Sequence, residues 1–357
     1  MFAEALIAAI ALVAPQEGAE VALLSEAQRS YLALPRAERF ERFEDGGYRR
    51  DLAEGGDCPR PVELRWRDDA TNGVYVVSVD GRETTVSNRC SVRVVNLEPG
   101  RAYVWSVRAG GETNVVSGSF TTAADLPRLM LVDGVSNVRD LGGWTTKDGR
   151  RVRMNRIYRS AGLRDCARRT GDSLLSVRYE PGERRVTDFG LTTLKEELGI
   201  RFDIELRSLK EAMGMESSVI PGARWLKVPF PAYDFVSDDV KGRLQFAKIF
   251  REFTFSENYP VLFHCAGGRD RTGTVAFLLN ALLGVSEDDL CRDWEVSAFG
   301  DSALTFSTGR IQRLMDFLHS LAGEDICEQA ESYARSCGIS AAEIAAFRAI
   351  MLEGGVE

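Results

Sequence analysis

One stretch of the sequence, residues 263–284 (FHCAGGRDRTGTVAFLLNALLG), combines a cysteine with an arginine six positions later. A cysteine thiolate is a strong nucleophile at neutral pH, and an arginine guanidinium can bind two oxygens of one phosphate group. Gly267 and Gly268 allow the backbone between them to turn, so that successive N–H groups point inward. Cys265 and Arg271 therefore predict a site that binds a phosphomonoester dianion and attacks its phosphorus atom.

The elements on either side of this loop suit such a site. Residues 260–263 (PVLF) are a short continuous apolar run, which is typical of a buried parallel strand. Residues 274–283 are apolar on almost every side, which predicts a buried helix that ends at Gly284. The loop would leave the carboxyl edge of a sheet and enter a helix N-terminus, where free N–H groups and the helix dipole favour an anion.

The cysteine–arginine spacing is specific within this chain. None of the other six cysteines has an arginine six positions later. The alternative interpretation, a buried inert cysteine before a glycine-rich turn, does not account for the arginine, the glycines and the flanking elements together. A nucleotide-binding P-loop is excluded, because that motif needs a lysine and GGRDRTG has none.

Composition bounds the remaining function classes. The length of 357 residues suggests two or three domains, and the formal net charge of −8 argues against broad nucleic-acid binding. The seven cysteines are odd in number and include no CxxC pair, so we expect neither a disulfide framework nor a zinc site. A His-rich metal centre is excluded by a histidine count of two, His264 and His319. We also expect no transmembrane segment, because no apolar run is long enough.

Residues 1–57 are expected to form a helical lead-in without a core of its own. Within it, residues 5–14 are an apolar run, which makes residues 1–15 a candidate signal segment. Glu4 and the absence of a preceding Lys or Arg argue against that interpretation and favour an amphipathic or buried helix. We therefore expect a cytoplasmic protein, with export to the periplasm or the medium as the alternative.

Residues 58–125 have a different pattern. Short alternating segments such as VELRWR, VYVVSV and AYVWSVRA are separated by turn residues, which predicts a small all-β sandwich. LEPGRAY, at residues 97–103, resembles the tyrosine corner of fibronectin type III domains, and Trp66 would be the core tryptophan of an early strand. The resemblance implies a module that binds or spaces, with a protein or a glycan as its candidate ligand.

Residues 126–357 alternate between helix and strand patterns, as in VTDFGLTTLKEELG followed by IRFDIEL. This alternation predicts an α/β domain with a mainly parallel central sheet flanked by helices. HCAGGRDRTG resembles the HCxxGxxR[ST]G signature of cysteine-dependent protein tyrosine phosphatases. It is most similar to bacterial tyrosine and dual-specificity phosphatases whose loop reads HCxAGKDRTG. Residues 137–163 (NVRDLGGWTTKDGRRVRMNRIYRSAGL) resemble the N-terminal signature of the same family.

The resemblance implies a role for each residue of the loop and no metal or other cofactor. Cys265 would form a phosphocysteine, Arg271 would bind the phosphate and the transition state, and Asp270 would assist proton transfer. Thr272 would hydrogen-bond the departing thiolate, and His264 would orient the cysteine and the loop. The other substrate-binding positions that the motif implies are Ala266, Gly267, Gly268, Arg269 and Gly273.

The acid that protonates the leaving group is less clearly marked. A departing oxygen must gain a proton, and relatives place an aspartate just after a strand that ends in Pro-Phe-Pro. This chain has VPFPAYDFVSDD there, so Asp234 is the candidate, although Ala232 stands at the directly corresponding position. A solvated acidic loop is the alternative.

Three polar positions outside the loop are expected to be structural. Glu205 in ELR, where the family has DLR, should form a salt bridge. Arg139 and Asp140 in NVRDLGG should brace the loop through polar contacts, because buried polar pairs mostly organise structure.

Three classes of function compete. The first is a phosphatase whose substrate is a phosphorylated protein or a small phosphomonoester, with phosphotyrosine and loose specificity favoured, and phosphoinositides or inositol phosphates as the alternative. The second is a non-catalytic phospho-binding protein, which would have no need of a nucleophile. The third is a sulfurtransferase or arsenate reductase, which would lack the signature at residues 137–163.

Overall fold

The computed structural model describes residues 10–45, 56–68, 73–163, 186–208, 210–212, 215–233, 240–300 and 307–354. The chain divides into two compact units. One, the β unit, comprises Met1–Ser25 and Pro59–Asp125, and the other, the α/β unit, comprises Glu26–Cys58 and Leu126–Glu357. This division differs from the boundaries 1–57, 58–125 and 126–357 expected from the sequence, because the lead-in is shared between the two units.

The β unit consists of two sheets. Among the described residues its strands are β1 Ala11–Ala14, β2 Ala19–Val21, β3 Val62–Arg67, β4 Val74–Val79, β5 Arg82–Ser87, β6 Ser91–Val94, β7 Ala102–Ala109 and β8 Val116–Thr122. One sheet has the order β1-β3-β6, and the other has the order β2-β8-β7-β4-β5. All pairs are antiparallel except β2 with β8.

Alternation along the strands builds the core of the β unit. In β3, buried and exposed residues alternate strictly, and Leu64 and Trp66 point to the buried face. They share one apolar cluster with Trp105 of β7 and Phe120 of β8, so both sheets contribute to the same core. The strand segments predicted from alternation at residues 62–122 are therefore confirmed as strands.

β1 and β2 lie where the sequence favoured a signal segment or a helix. Leu12 of β1 lies opposite Trp66 of β3, and Val21 of β2 lies opposite Thr122 of β8. Pairing with strands that are distant in sequence outweighs the helix preference of the alanine-rich run. Residues 1–9 of the candidate signal segment lie outside the described residues.

The α/β unit is built on one five-stranded sheet of order β12-β11-β13-β10-β9. Its strands are β9 Arg139–Asp140, β10 Ile157–Ser160, β11 Phe202–Glu205, β12 Arg224–Lys227 and β13 Val261–His264. The first four strands in the sheet order run parallel, and β9 is antiparallel to β10. This confirms the prediction of a mainly parallel sheet in an α/β fold.

Helices surround this sheet. Those described are α1 Glu26–Leu32, α2 Arg36–Asp45, α3 Asp188–Thr192 with a π-helical turn Thr193–Glu197, α4 Val240–Glu252, α5 Asp270–Leu282, α6 Glu287–Val296, α7 Gly309–His319, α8 Ile326–Ser336 and α9 Ala341–Met351. α5 is buried from Thr272 to Leu282, as its apolar sequence predicts. None of the helices in the described part of the chain is long and apolar enough to cross a bilayer.

Candidate active site

The loop predicted to bind an anion lies between β13 and α5. β13 ends at His264, Cys265 follows directly, and α5 begins at Asp270. Cys265 carries a free thiol and is 2% exposed. Because β13 is flanked by the parallel strands β10 and β11, the loop leaves the carboxyl edge of the sheet at its centre. The strand–loop–helix arrangement predicted from the sequence is thus observed.

Three successive carbonyl oxygens of the loop accept hydrogen bonds from residues outside the loop. The Gly162 N–H donates to the Ala266 oxygen at 3.0 Å, and the Asn137 side-chain amide donates to the oxygens of Gly267 and Gly268, each at 3.0 Å. In a trans peptide the next N–H points opposite to the carbonyl. The N–H groups that follow these three carbonyls therefore point away from Gly162 and Asn137.

Gly268 is needed for both its conformation and its lack of a side chain. Its φ of +66° lies in the left-handed region that favours glycine. A Cβ at this position would lie 2.5 Å from the backbone carbon and oxygen of Ser160. Any side chain would therefore push the loop away from the end of β10.

Arg271 returns to the cysteine from the first turn of α5. It lies near enough to Cys265 for the charge of that side chain to contribute to raising the pKa of Arg271. It also makes a two-pronged ion pair with Glu211, with Nη1–Oε2 and Nη2–Oε1 distances of 2.8 and 2.7 Å. Burial lowers the pKa of Arg271, but Glu211 and Cys265 outweigh burial and leave that pKa raised. In return, the hydrogen bonds from Arg271 lower the pKa of Glu211 to about 2.

His264 lies between two buried carboxylates. Its Nε2 is 2.9 Å from Asp203 Oδ1, and its Nδ1 is 3.8 Å from Glu205 Oε2. Burial lowers the pKa of His264, but the two carboxylates outweigh burial and raise that pKa above its ordinary value. Glu205 also binds Arg207, with an Oε2–Nη2 distance of 2.7 Å. The salt bridge expected for Glu205 is therefore present, and a histidine shares it.

A second buried charge cluster lies behind the glycines of the loop. Asp293 of α6 accepts from Arg139 Nε at 2.7 Å and from Arg159 Nη1. Arg159 Nη2 in turn donates to the Gly268 oxygen at 2.8 Å. Burial and the charge of Arg139 lower the pKa of Arg159 to about 10, and the two arginines outweigh burial to lower the pKa of Asp293. The cluster holds the loop through Arg159.

The signature at residues 137–163 braces the loop with different partners from those expected. Arg139 pairs with Asp293, whereas Asp140 pairs with Arg128 at 3.1 Å and accepts from the Asn155 N–H at 2.7 Å. Arg139 and Asp140 do not pair because adjacent strand residues point to opposite faces of the sheet.

Four other residues predicted for the site are Thr272, Asp270, Gly273 and Asp234. Thr272 is buried, and its hydroxyl has no hydrogen-bond partner among the residues that the structure describes. The Asp270 carboxylate is 2.8 Å from Arg310 of α7. Gly273 packs closely against Trp294: a Cβ on Gly273 would lie 3.2 Å from the indole. Asp234, the candidate acid, lies outside the described residues.

Sequence reasoning missed four residues that contact the loop or its braces. Asn137 is 131 positions from its partner Gly268, Glu211 is 60 from Arg271, and Asp293 is 154 from Arg139. Asp57 accepts a hydrogen bond from the backbone of Asn137, 80 residues away. Asn137 could have been found as the first residue of the NVRDLGG segment. Asp293 stands beside Trp294 in DWEVSAFG, but no local pattern distinguishes it.

The fold and the site define an α/β protein with a cysteine-containing loop at the carboxyl edge of its sheet. The family model described as "Tyrosine phosphatase family" matches residues 130–179 and 182–353, which is more than half of the chain. The chain therefore belongs to the tyrosine phosphatase family.

Two curated relatives resemble parts of this chain. A protein of Cupriavidus necator whose name proposes a tyrosine-protein phosphatase is 34% identical over 175 residues, covering 45% of this chain and 60% of the relative. A tyrosine-protein phosphatase of Nostoc commune is 39% identical over 54 residues, covering 15% of this chain and 18% of the relative. The chain thus spans less than two thirds of the length of either relative.

Solved structures give weaker likenesses. TpbA of P. aeruginosa in complex with pTyr has a TM-score of 0.30 and 16% identity, covering 52% of this chain and 90% of that one. The catalytic core of the S. cerevisiae PP-IP phosphatase SIW14, in complex with citrate, has a TM-score of 0.25 and 15% identity, covering 50% and 80%. The family assignment rests on the family model.

Proposed function

We propose that this protein is a phosphomonoester hydrolase that acts through a phosphocysteine intermediate, with phosphotyrosine as its favoured substrate and loose specificity. The observation that carries this proposal is the position of buried Cys265 on a braced, glycine-containing loop between β13 and the buried helix α5, whose first turn carries Arg271. Attack on a phosphate dianion requires a nucleophile, a guanidinium and backbone donors close together, and this loop supplies all three groups.

The proposed reaction has two steps. The Cys265 thiolate attacks phosphorus, a sulfur–phosphorus bond forms, and the ester oxygen leaves and takes a proton from an acid. A water molecule then attacks the same phosphorus atom and loses a proton, the sulfur–phosphorus bond breaks, and phosphate departs. Arg271 and the loop N–H groups stabilise the charge on the phosphoryl oxygens in both steps. In this proposal, the Thr272 hydroxyl donates a hydrogen bond to the thiolate when it is released.

We assign the acid role to Asp234 and a supporting role to Asp270 as parts of the same proposal. The hydroxyl of Tyr233, the residue before Asp234, accepts a hydrogen bond from Trp294 Nε1 at 2.7 Å, and Trp294 packs on Gly273 of the loop. Burial, followed by the negative charge of Asp270, raises the pKa of Tyr233. The chain therefore approaches the loop closely one residue before the candidate acid.

Hydrolysis of p-nitrophenyl phosphate by the wild-type chain and by Cys265→Ser tests the mechanism. We expect the wild type to turn over and Cys265→Ser to lose at least about 10³-fold in kcat, since a serine hydroxyl is a far weaker nucleophile at neutral pH. Cys291→Ser is the matched control, because that thiol is also buried but lies in α6. Unchanged turnover in Cys265→Ser would rule out the phosphocysteine.

Parallel assays separate the substrate classes. A phosphotyrosine peptide, a phosphoserine peptide and inositol phosphates are compared by kcat/KM at equal protein concentration. We expect the phosphotyrosine peptide to be preferred, and a preference for inositol phosphates would support the alternative substrate class. Arg269, the additional cation of the loop, is the residue whose replacement by Met should then weaken the polyphosphate most.

We also propose that the β unit is a fibronectin type III-like domain that binds a protein or a glycan. Its support is the hydroxyl of Tyr103, which accepts from the Glu98 N–H at 2.7 Å as a tyrosine corner does. Trp66 is buried and packs edge-on against Tyr75 at 5.1 Å. Two binding experiments would test the ligand class: the wild-type chain is applied to a glycan array, and cell extracts are passed over the immobilised chain. Tyr103→Phe is the control in both experiments.

For location we propose the cytoplasm, with export as the alternative. The proposal rests on the absence of a basic residue before the apolar run at residues 5–14. Mass spectrometry of the N-terminus of the protein isolated from its own cells is the test, and a terminus near residue 15 would demonstrate export.

A further inference from the structure

Two helices outside the stretch matched by the family model are an integral part of the α/β unit. Arg39 of α2 is completely buried, and its Nε is 2.9 Å from Glu295 Oε2 of α6. The hydroxyl of Tyr31 in α1 donates to the same Glu295 oxygen at 2.8 Å. Arg39 Nη2 reaches Asp288, also in α6, at 2.6 Å. A buried ion pair with these additional hydrogen bonds fixes α1 and α2 against α6.

The same N-terminal segment reaches the back of the phosphate loop through Asp57. One oxygen of the Asp57 carboxylate accepts from the backbone N–H of Asn137. Asn137 has a φ of +58°, a left-handed conformation that costs free energy unless its surroundings hold it. The side chain of Asn137 in turn donates to the carbonyl oxygens of Gly267 and Gly268. One chain of hydrogen bonds thus runs from Asp57 to the two glycines.

The position of the Asp57 side chain depends on a glycine, Gly300, at the neighbouring position in space. A Cβ on Gly300, just beyond the end of α6, would lie 2.6 Å from the Asp57 Cγ and 2.8 Å from its Oδ2. Gly300 does not adopt a left-handed φ, so alanine fits its backbone conformation and would conflict with Asp57 instead. Gly300 is therefore a second position from which Asp57 can be displaced.

We propose that Asp57 is a positioning residue for the proposed phosphatase site, acting through Asn137 on the carbonyl groups of Gly267 and Gly268. A carboxylate is the stronger kind of acceptor for a backbone N–H, and it holds Asn137 in its left-handed conformation. Asn137 then keeps the two carbonyls turned outward and the following N–H groups turned toward the anion. This inference rests on the proposed function, and it assigns a role to a residue outside the matched stretch 130–353.

The test measures tungstate binding by calorimetry, together with kcat and KM on p-nitrophenyl phosphate, in full-length variants. Asp57→Ala should weaken tungstate binding by about tenfold and raise KM, because the loop donors lose their orientation. Asp57→Asn keeps a carbonyl acceptor and should stay within about threefold of the wild type. Arg42→Ala is the matched control on α2: its exposed pair with Glu38 is 2.7 Å long, and it should bind tungstate as the wild type does.

Two further variants keep the inference testable if Asp57→Ala folds poorly. Gly300→Ala should reproduce the loss in tungstate affinity, and adding Gly300→Ala to Asp57→Ala should cost nothing more, because the clash is gone. Asp57→Ala added to Asn137→Ala should likewise cost nothing beyond Asn137→Ala alone. Wild-type tungstate affinity in Asp57→Ala or in Gly300→Ala, or additive losses in the double variants, would overturn the inference.

The readouts separate this inference from the proposed function. If the wild type binds tungstate but releases no phosphate from the aryl ester, the proposed function fails while the binding comparison still decides the role of Asp57. If the wild type turns over normally and Asp57→Ala matches it in both tungstate affinity and KM, only the positioning role fails. A purely structural role would lower the melting temperature of Asp57→Ala and leave the tungstate affinity of its folded form unchanged.

Discussion

The β unit and the α/β unit bury different kinds of side chain. Among the described residues, the buried polar side chains of the β unit are Asn96 and Thr122, both uncharged. In the α/β unit, buried charged residues surround the back of one loop: Arg139, Arg159, Asp203, Glu205, Arg207, His264 and Asp293. The β unit thus buries no charged side chain among its described residues, whereas the α/β unit places seven of its buried charged residues around the cysteine loop.

This contrast indicates which part of the α/β unit is unfavourable for its folding free energy. Removing a charge from water costs several kcal/mol, and a partner must offset most of that cost. Such an arrangement is retained where fixed charges must face a ligand that is itself charged, because dipoles fixed in advance need no reorganisation when the ligand binds. The buried pairs lie behind the loop, while Arg271 and Glu211 on its open side remain partly exposed.

Of the changes predicted here, removal of the Asp293 carboxylate should lower the stability of the α/β unit most. Asp293→Ala leaves Arg139 and Arg159 buried without their shared carboxylate, so we expect the free energy of unfolding to fall by about 3–5 kcal/mol. Tungstate binding should also be lost, because Arg159 no longer holds the Gly268 carbonyl. Urea denaturation and calorimetry measure the two effects.

Asp316→Ala on α7 is the control for Asp293→Ala. Asp316 is exposed and its carboxylate accepts a hydrogen bond from the Gln312 side chain at 2.8 Å, so its removal should change stability by about 0.5 kcal/mol or less. A similar loss in both variants would mean that the buried pairs do not carry the stability of this region.

Truncating the core of the β unit should lower stability without affecting chemistry. Leu64 is fully buried in the cluster shared by the two sheets, so Leu64→Ala should destabilise that unit by about 2–5 kcal/mol. Hydrogen exchange resolved by segment should speed up in residues 62–122, while kcat on p-nitrophenyl phosphate stays that of the wild type. A parallel fall in kcat would show that the stability of the β unit affects the chemistry of the α/β unit.

The sequence predicts the parts of the site whose residues are close together in the chain. Cys265, Arg271 and the glycines lie within seven residues, so one strand–loop–helix pattern is enough to place them. The Glu205–Arg207 pair is predictable for the same reason, since the two residues stand two positions apart on one strand end.

What the sequence could not predict are contacts that depend on how distant elements pack. Glu211 meets Arg271 across 60 residues, and Asp293 meets Arg139 across 154. No periodicity reports such contacts, because each needs the position of a helix relative to the sheet. The sequence did not predict β1 as a strand for a related reason. Its alanines favour a helix locally, and pairing with β3 makes it a strand.

The buried histidine gives a pH-dependent measure of the same charge network. Asp203 and Glu205 raise the folded-state pKa of His264 above its ordinary value of 6.5. A raised pKa means that the folded state binds the proton more tightly. The stabilisation is therefore complete below about pH 6.5 and is lost as pH rises through the folded-state pKa.

We expect the stability difference between the parent and a His264→Gln variant to shrink as pH rises above 6.5. Both are best compared on a Cys265→Ser background, so that the neighbouring thiol is absent from both. Urea denaturation between pH 6 and pH 9 gives the difference at each pH. A difference that grows with pH would show that the folded state holds His264 neutral.

The smallest effect is expected on the open side of the loop, at Glu211. Its ion pair with Arg271 is well oriented, but the Glu211 side chain is 42% exposed, so solvent screens the interaction. Glu211→Gln should therefore change the free energy of unfolding by about 1 kcal/mol or less. Because the folded-state pKa of Glu211 is about 2, the pair should contribute above pH 4.5 and be lost as the pH falls through about 2.

The kinetic consequence of Glu211→Gln distinguishes two roles for the carboxylate. If Glu211 orders the long side chain of Arg271, the variant should raise KM about two- to threefold, because Arg271 must then be fixed by the phosphate itself. If the carboxylate instead competes with the phosphate for Arg271, the variant should bind tungstate more tightly than the wild type. We expect the first result, since both oxygens of Glu211 are bound to the guanidinium and restrict it to one orientation. Glu331→Gln, whose carboxylate pairs with Arg335 within α8, is the control and should leave KM unchanged.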